Sequence, residues 1–250
     1  MKRFETARAM IEVVLVVTVV AFATHIVPQK PQHIAKHHSQ LQPYWVSDVV
    51  FRVPTDKKVV ALTFDDGPHP KFTPDILNIL DKYRIKATFF MVGKEMVKYP
   101  DVVKEVAKRG HVIGNHTYSH PHDIELDTRT QVVGELEKCE QVIEKLTGAR
   151  PQLFRSPRGL MDGAVFQIAN EEGYKVILWT VCADNHSDPT PQMMANRVFQ
   201  HIKPGGIILV HDGMYCSRIK DVEATPIIIE GLIKRGYRFV TVPELMKIRG

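Results

Sequence analysis

From Lys58 to the C-terminus, short runs rich in Val, Ile and Phe alternate seven times with longer amphipathic stretches that open on Pro, Asp or Thr and close on Gly. Segments of helix length between strands rule out tight hairpins, so the strands run parallel and each step brings the chain back to the same end of a sheet. Strands are expected at Val59 to Phe64, Ala87 to Val92, His111 to Gly114, Gln152 to Arg155, Lys175 to Val181, Gly206 to Val210 and Arg238 to Thr241. Helices are expected near 73–83, 100–109, 128–147, 162–172, 190–202, 222–235 and 243–248. The span from Lys58 to Gly250 gives about 28 residues per unit, close to the roughly 30 of a strand–helix–strand step. Seven such units close, or nearly close, a (β/α) barrel of about seven parallel strands. The other α/β arrangement, an open doubly wound sheet, calls for a Gly-rich phosphate loop after the first strand, where Gly67 stands alone. In a βα barrel the chemistry sits in the loops after the C-terminal ends of the strands.

Ahead of the alternation, Lys2, Arg3 and Arg8 precede the apolar stretch Ala9 to Val27, which reads as an export segment. Two forms fit it: a cleaved signal peptide, given the small-x-small triplet Ala21-Phe22-Ala23, or an uncleaved anchor, given about 20 apolar residues. Either form sends the rest of the chain outside. Residues 28–43, rich in Pro, Gln, Lys and His, cannot bury a core and are expected to be a linker, with the folded domain at 44–250. The formal charge is +5, and Lys and Arg do not cluster beyond the N-terminal region. That excludes the electrostatic footprint of a nucleic-acid binder and leaves an anionic polymer or a membrane surface as partner. Three cysteines do not make a closed disulfide framework. A Cys182–Cys216 bridge is geometrically conceivable in an oxidising compartment, but three unpaired thiols are expected.

Polar clusters fall at five of the expected strand ends: Asp65-Asp66, His116 with His120, Arg155, Asp184, and His211-Asp212. Singly, each has an ordinary explanation as a turn or a solvated pair; together on one rim they define a site. The residue types suggest a metal. His116 and His120, four apart, can present both imidazoles to one point in a helical turn, and one carboxylate completes the set that leaves a position open on catalytic zinc. A second carboxylate that does not bind the ion can take a proton from water, and the aspartate doublet can supply both.

Four segments, Thr63-Phe64-Asp65-Asp66-Gly67-Pro68, His116-Thr117-Tyr118-Ser119-His120-Pro121, Arg155-Ser156-Pro157-Arg158-Gly159 and Leu209-Val210-His211-Asp212, resemble in order the motifs of the polysaccharide deacetylases, the NodB-homology family or carbohydrate esterase family 4. The resemblance spans about residues 58 to 245. It implies a distorted (β/α) barrel and metal-dependent removal of acetyl groups from N-acetylated cell-wall glycan. It makes Asp66, His116 and His120 the ligands of one divalent ion, zinc first, with cobalt, nickel or manganese as alternatives. It makes Asp65 the general base, oriented by Arg155, and His211 the general acid. The backbone N–H of Arg158 would help bind the oxyanion, Leu209 would line the acetyl pocket, and Trp179 joins them as a substrate-side candidate. A monomer is expected.

Two positions depart from the family pattern. Its Asp-x-x-Asp-Trp motif is represented here by Cys182, Asn185 and His186, so Asp184 is expected to tune His211 by a local shift. Arg158 stands where many members carry an aromatic residue, as it does in relatives that act on muramic acid, and its fork would suit the lactyl carboxylate of that sugar. The competing expectation for Arg158 is an ion pair with an acid such as Asp162. Competing functions are hydrolysis of a small amide or imide on the same scaffold, and glycan binding by a decayed site.

Overall fold

A computed structural model describes residues 49–184, 189–214 and 217–248. The export segment, the linker, and the Asn185, His186 and Cys216 positions lie outside the described residues. Among the described residues, no helix is long and apolar enough to cross a membrane.

The strands are β1 (Val49–Val50), β2 (Val59–Asp65), β3 (Thr88–Met91), β4 (Val112–Asn115), β5 (Leu153–Phe154), β6 (Lys175–Ile177), β7 (Val181–Cys182), β8 (Gly206–His211) and β9 (Arg238–Val240). The helices are α1 (Phe72–Lys82), α2 (Gly93–Lys98), α3 (Pro100–Lys108), α4 (Arg129–Thr147), α5 (Gly163–Glu171), α6 (Pro191–His201), α7 (Ile219–Lys234) and α8 (Val242–Met246). All named strand pairs are parallel, in the order β1-β6-β5-β4-β3-β2-β8-β7, and β9 pairs with β2. This is the expected α/β architecture, a curled half-barrel of parallel strands with helices outside. The expected helix boundaries hold within a few residues. β1 and the short helix α2 were not anticipated, because two and six residues are too few to show a period.

The expected strand at Lys175 to Val181 is corrected to two. β6 pairs with β5 and β1, whereas β7 pairs with β8, and residues 178–180 cross between them. The break has a chemical cause: the carbonyls of Ile177 and Leu178 accept from Arg155 Nε and Nη2, both at 3.0 Å. A buried guanidinium therefore takes acceptors that a continuous ladder would have used. At the other end, β9 pairs with the first residues of β2 and β3 with the last, so β9 widens the sheet away from the site.

β2 is buried along all seven residues, as a central parallel strand covered on both faces must be. Its Leu62 and Phe64 join Ile76, Leu77 and Leu80 of α1 and Phe89 of β3 in the largest core cluster. Phe64 and Phe89 stack at 5.0 Å between ring centroids. Thr128 opens α4 with a reciprocal capping box to Gln131, and Gly148 closes it at φ 73°.

His111, at the start of β4, is buried against the edge of Phe89, and its Nδ1 accepts from the Ala87 N–H at 3.1 Å. Burial, with the nearby Lys86 charge, pushes its pKa down to about 4. A histidine whose folded pKa lies below its unfolded value costs nothing above pH 6.5, and destabilises progressively as pH falls from 6.5 toward 4. At ~1.4 kcal/mol per unit, discounted for screening, the loss is about 2 kcal/mol. His111→Asn retains an acceptor without titrating, so its denaturation midpoint should fall less than the parent's across that window. Parallel pH curves for the two proteins would refute this role for His111.

Candidate active site

The first strand end sets the geometry. Asp65 closes β2, and Asp66 turns out of it with φ 74°, so two adjacent carboxylates that would alternate across a strand are brought to one side of the sheet's end. Asp65 Oδ1 accepts from Arg155 Nη1 at 2.7 Å. The Arg155 guanidinium is fully buried and also donates to Thr63 Oγ1 at 2.9 Å and to the two carbonyls of the broken strand. It lies 4.1 Å from the centroid of the Phe90 ring. With four acceptors, one of them a carboxylate, it is a satisfied buried cation, and Asp65 is held in one orientation.

The two histidines do not lie on a helical turn. Residues 116–120 form a loop after β4 in which Thr117 and His120 take φ 66° and 54°. Left-handed conformations are costly for residues with a Cβ, about 1 kcal/mol or more each, and persist only where neighbours impose them. Here Asn115 Oδ1 accepts from the Thr117 N–H at 2.9 Å, Thr117 Oγ1 accepts from the His120 N–H at 3.1 Å, and Glu135 of α4 accepts from both the N–H and the hydroxyl of Ser119. Asn115 is itself fixed by donating to the Leu136 carbonyl at 2.9 Å and to the Tyr174 hydroxyl at 3.0 Å. The i, i+4 spacing therefore brings the imidazoles together through loop strain rather than helical period.

Asp66 Oδ1 lies 3.4 Å from His116 Nε2 and 3.3 Å from His120 Nε2, and the three donor atoms can face a single ion. His116 Nδ1 lies 2.7 Å from the Arg155 carbonyl, which can only accept, so Nδ1 carries the proton and Nε2 presents its lone pair. Two imidazole nitrogens and one carboxylate suit a divalent ion with positions left for water or substrate. Burial of Asp66 works toward a higher pKa, but the facing His116 and His120 rings outweigh it and hold the carboxyl well below the usual range. Burial opposes the charged form of His116, and the carboxylates of Asp65 and Asp66 outweigh that too, raising its pKa.

His211 closes β8 in direct register with Asp65 on β2, which puts the fifth polar cluster beside the first. Asp184 Oδ2 lies 3.0 Å from His211 Nδ1. Burial lowers the pKa of His211, and the Asp184 carboxylate outweighs it and raises the pKa above the ordinary value. Asp184 is held low against its own burial by His211 and Arg218.

Arg218, just before α7, was not anticipated. Its Nη2 is 3.3 Å from Asp66 Oδ2, its Nη1 is 3.1 Å from Asp184 Oδ2, and its Nε donates to the Gly213 carbonyl at 3.1 Å, so one side chain spans both carboxylates. It follows a loop rather than a strand, and only its spacing of three from Asp221, with which it pairs at 3.7 Å, hints at a role. Asp212, adjacent to His211 in sequence, bonds to α1 rather than to the ligand group. It is fully buried, accepts from Thr73 Oγ1 at 2.5 Å, and burial raises its pKa to about 7.

Arg158 pairs with a neighbouring acid, as one expectation had it, but the acid is Asp123 rather than Asp162. Its side chain contacts Nε2 and the carbonyl of His122, with Asp123 at 3.8 Å, and does not pair with Asp162. Asp162 instead caps α5, accepting from the Ala164 and Val165 N–H groups. Next to Arg158, Gly159 has φ 63° and lies against Trp179, where any Cβ would overlap the indole. Trp179 also lies 5.6 Å from the Arg155 guanidinium, and Leu209 is buried two residues before His211.

A parallel curled sheet carrying this constellation at its C-terminal edge places the chain in the polysaccharide deacetylase family, whose model matches residues 52–177. Among its relatives are a peptidoglycan-N-acetylglucosamine deacetylase of Bacillus cereus, 39% identical over 80% of this chain and 94% of its own length, and the peptidoglycan-N-acetylmuramic acid deacetylase PdaA of Bacillus subtilis, 32% identical over 77% of this chain and 73% of its own. A crystal structure of a peptidoglycan N-acetylglucosamine deacetylase superposes with a TM-score of 0.78 at 35% identity, covering 83% of this chain and 98% of that one. A pseudoenzyme of the same family from Bacillus anthracis superposes at 0.74 with 29% identity, covering 80% and 69%. The family fold thus carries both active and inactive members, and the residues must decide between them.

Proposed function

We propose that this chain is an exported, metal-dependent hydrolase of non-peptide C–N bonds that removes acetyl groups from the N-acetylglucosamine of peptidoglycan. The observation that carries this reading is the convergence of Asp66, His116 and His120 with Asp65 and His211 at adjoining strand ends. A decayed site would not retain all of these with Arg155 fully bonded beneath them. Residues 1–27 are proposed as the export or anchor segment, 28–43 as a linker and 44–250 as the catalytic domain.

Asp66, His116 and His120 would hold the ion, proposed to be zinc. When bound, it would supply a Lewis acid to acidify water and polarise the acetyl carbonyl. Asp65, oriented by Arg155, takes the proton of the attacking water. The backbone N–H of Arg158 donates to the developing oxyanion, and Leu209 and Trp179 border the acetyl group. His211, charged by virtue of Asp184, protonates the leaving amine. Acetate release from purified peptidoglycan, with and without added zinc, tests the proposal; no release at any metal loading would overturn it.

Asp184→Asn removes the negative charge that raises the His211 pKa, so that pKa should fall. A general acid works only while protonated, and the alkaline limb of the pH–rate profile should therefore move to lower pH. An unmoved limb would separate Asp184 from the chemistry.

The choice of N-acetylglucosamine rests on Arg158: with its guanidinium engaged by the 122–123 loop, it is not free to grip a lactyl carboxylate. Arg158→Tyr should change the ratio of rates on N-acetylglucosamine oligomers and muramic-acid glycan by less than about twofold. A bidentate carboxylate contact would be worth about 1.5–3 kcal/mol, roughly tenfold or more. A tenfold shift in that ratio would move the assignment to N-acetylmuramic acid.

A further inference from the structure

Beside the Asp66 group lies a second set of ligand-type side chains. Cys182 in β7, Asp184 two residues on, and His211 at the end of β8 place Sγ, a carboxylate oxygen and a ring nitrogen within 4.8 Å of one another. Cys182 Sγ donates to Asp184 Oδ1 at 2.8 Å, while Oδ2 lies 3.0 Å from His211 Nδ1. That nitrogen is buried and makes no aligned hydrogen bond. We propose that Cys182, Asp184 and His211 form a second site for a soft or borderline divalent ion such as zinc or cadmium, and that filling it inhibits the enzyme.

Thiolate, carboxylate and imidazole are a recognised donor set for zinc, and a water completes four-coordination. The thiolate and carboxylate together cancel the charge of the ion. This matters because the Arg218 guanidinium stands 3.1 Å from Asp184 Oδ2. Coordination through Oδ1, the atom that now accepts from Cys182, leaves Oδ2 to Arg218. Binding displaces the Cys182 thiol proton and any proton on His211 Nδ1 into solvent, and no electron moves. The Asp66 site contains no sulfur, so the two sites differ in softness, and the thiolate makes the second the better one for cadmium. Because β7 is hydrogen-bonded to β8, Cys182 and His211 stand on adjacent strands and the site needs only side-chain rotation to close.

Inhibition, unlike binding, rests on the reading of His211 as general acid. An ion on Nδ1 replaces the Asp184 contact and removes the imidazolium form. The Nε2–H that remains is a far weaker acid and cannot efficiently protonate the leaving amine.

The test uses the full chain stripped of metal and titrated with cobalt(II), following bound equivalents and thiolate-to-metal charge-transfer absorption, with zinc titrated in parallel against acetate release. The first equivalent should bind without the sulfur band and support activity. The second should bring the band and lower acetate release at least tenfold. Cys182→Ser, which keeps a hydrogen-bond donor to Asp184, should lose the band, weaken the second equivalent at least tenfold and retain activity at one equivalent. Cys182→Ala serves the same purpose should the serine variant fold poorly. Saturation at one equivalent, or a band that survives in both variants, would overturn the second site. A band that vanishes with Cys182 while activity is indifferent to the second equivalent would sustain the site and overturn the inhibition. A chain that releases no acetate at any loading would overturn the proposed function and leave the sulfur band to report on the site.

Discussion

Replacing His116 and His120 together by Ala is expected to remove the catalytic ion and, with it, nearly all acetate release. The two Nε2 atoms lie 3.4 and 3.3 Å from Asp66 Oδ1, and without them a single carboxylate, already bonded to Arg218, is left to hold a divalent ion. His120→Ala alone should weaken binding sharply, since three protein donors are the usual minimum for a catalytic zinc. The fold should survive, because the 116–120 loop is fixed mainly through Asn115, Thr117 and Ser119 rather than through the imidazoles. Metal content of the purified variant, measured against the parent, is the deciding quantity. Stoichiometric metal in the double variant would remove Asp66, His116 and His120 from consideration as the site.

Asp65→Asn is expected to keep the metal and lower turnover by roughly 10²–10⁴-fold, the span attributed to a positioned proton acceptor. Asp65 is 3.9 Å from His116 Nε2 and bonds to Arg155, so it stands beside the ligand group without completing it. Asparagine still offers an oxygen to Arg155 Nη1. Alanine would not; both variants remove the charge that balances the buried guanidinium, which costs about 3–5 kcal/mol, and alanine loses the hydrogen bond as well. Comparing the two variants therefore separates lost chemistry from lost stability: Asn should melt below the parent and Ala lower still, while both lose turnover to the same extent. If Asp65→Asn lost the ion instead, the roles of the two aspartates would have to be exchanged.

These two expectations also bear on the resemblance to a pseudoenzyme of the family. A similar fold at similar identity does not distinguish a working site from a decayed one, whereas the Asp66, His116 and His120 set, with Asp65 beside it, makes a claim that metal analysis can test directly.

Much of this molecule was legible in the sequence, and the reason is periodicity. Seven returns of an apolar run to a helix-length partner specify parallel strands, and parallel strands gather their C-terminal ends on one rim. Asp65, His116, Arg155 and His211, far apart in the chain, therefore had to meet. Tertiary structure decided what periodicity does not encode. The strand expected at Lys175 to Val181 breaks because buried Arg155 takes the carbonyls of Ile177 and Leu178, an acceptor demand set from another part of the sheet. The histidine pair converges through left-handed Thr117 and His120, a strain imposed by Asn115 and Glu135. Arg158 turns to the 122–123 loop, and Arg218 reaches from the start of α7 to join Asp66 with Asp184. In each case a polar side chain chose its partner by distance and desolvation in the folded protein. Hydrophobic pattern is a local property of the chain and survives in the sequence; the partners of buried charges are settled only when the chain has closed around them.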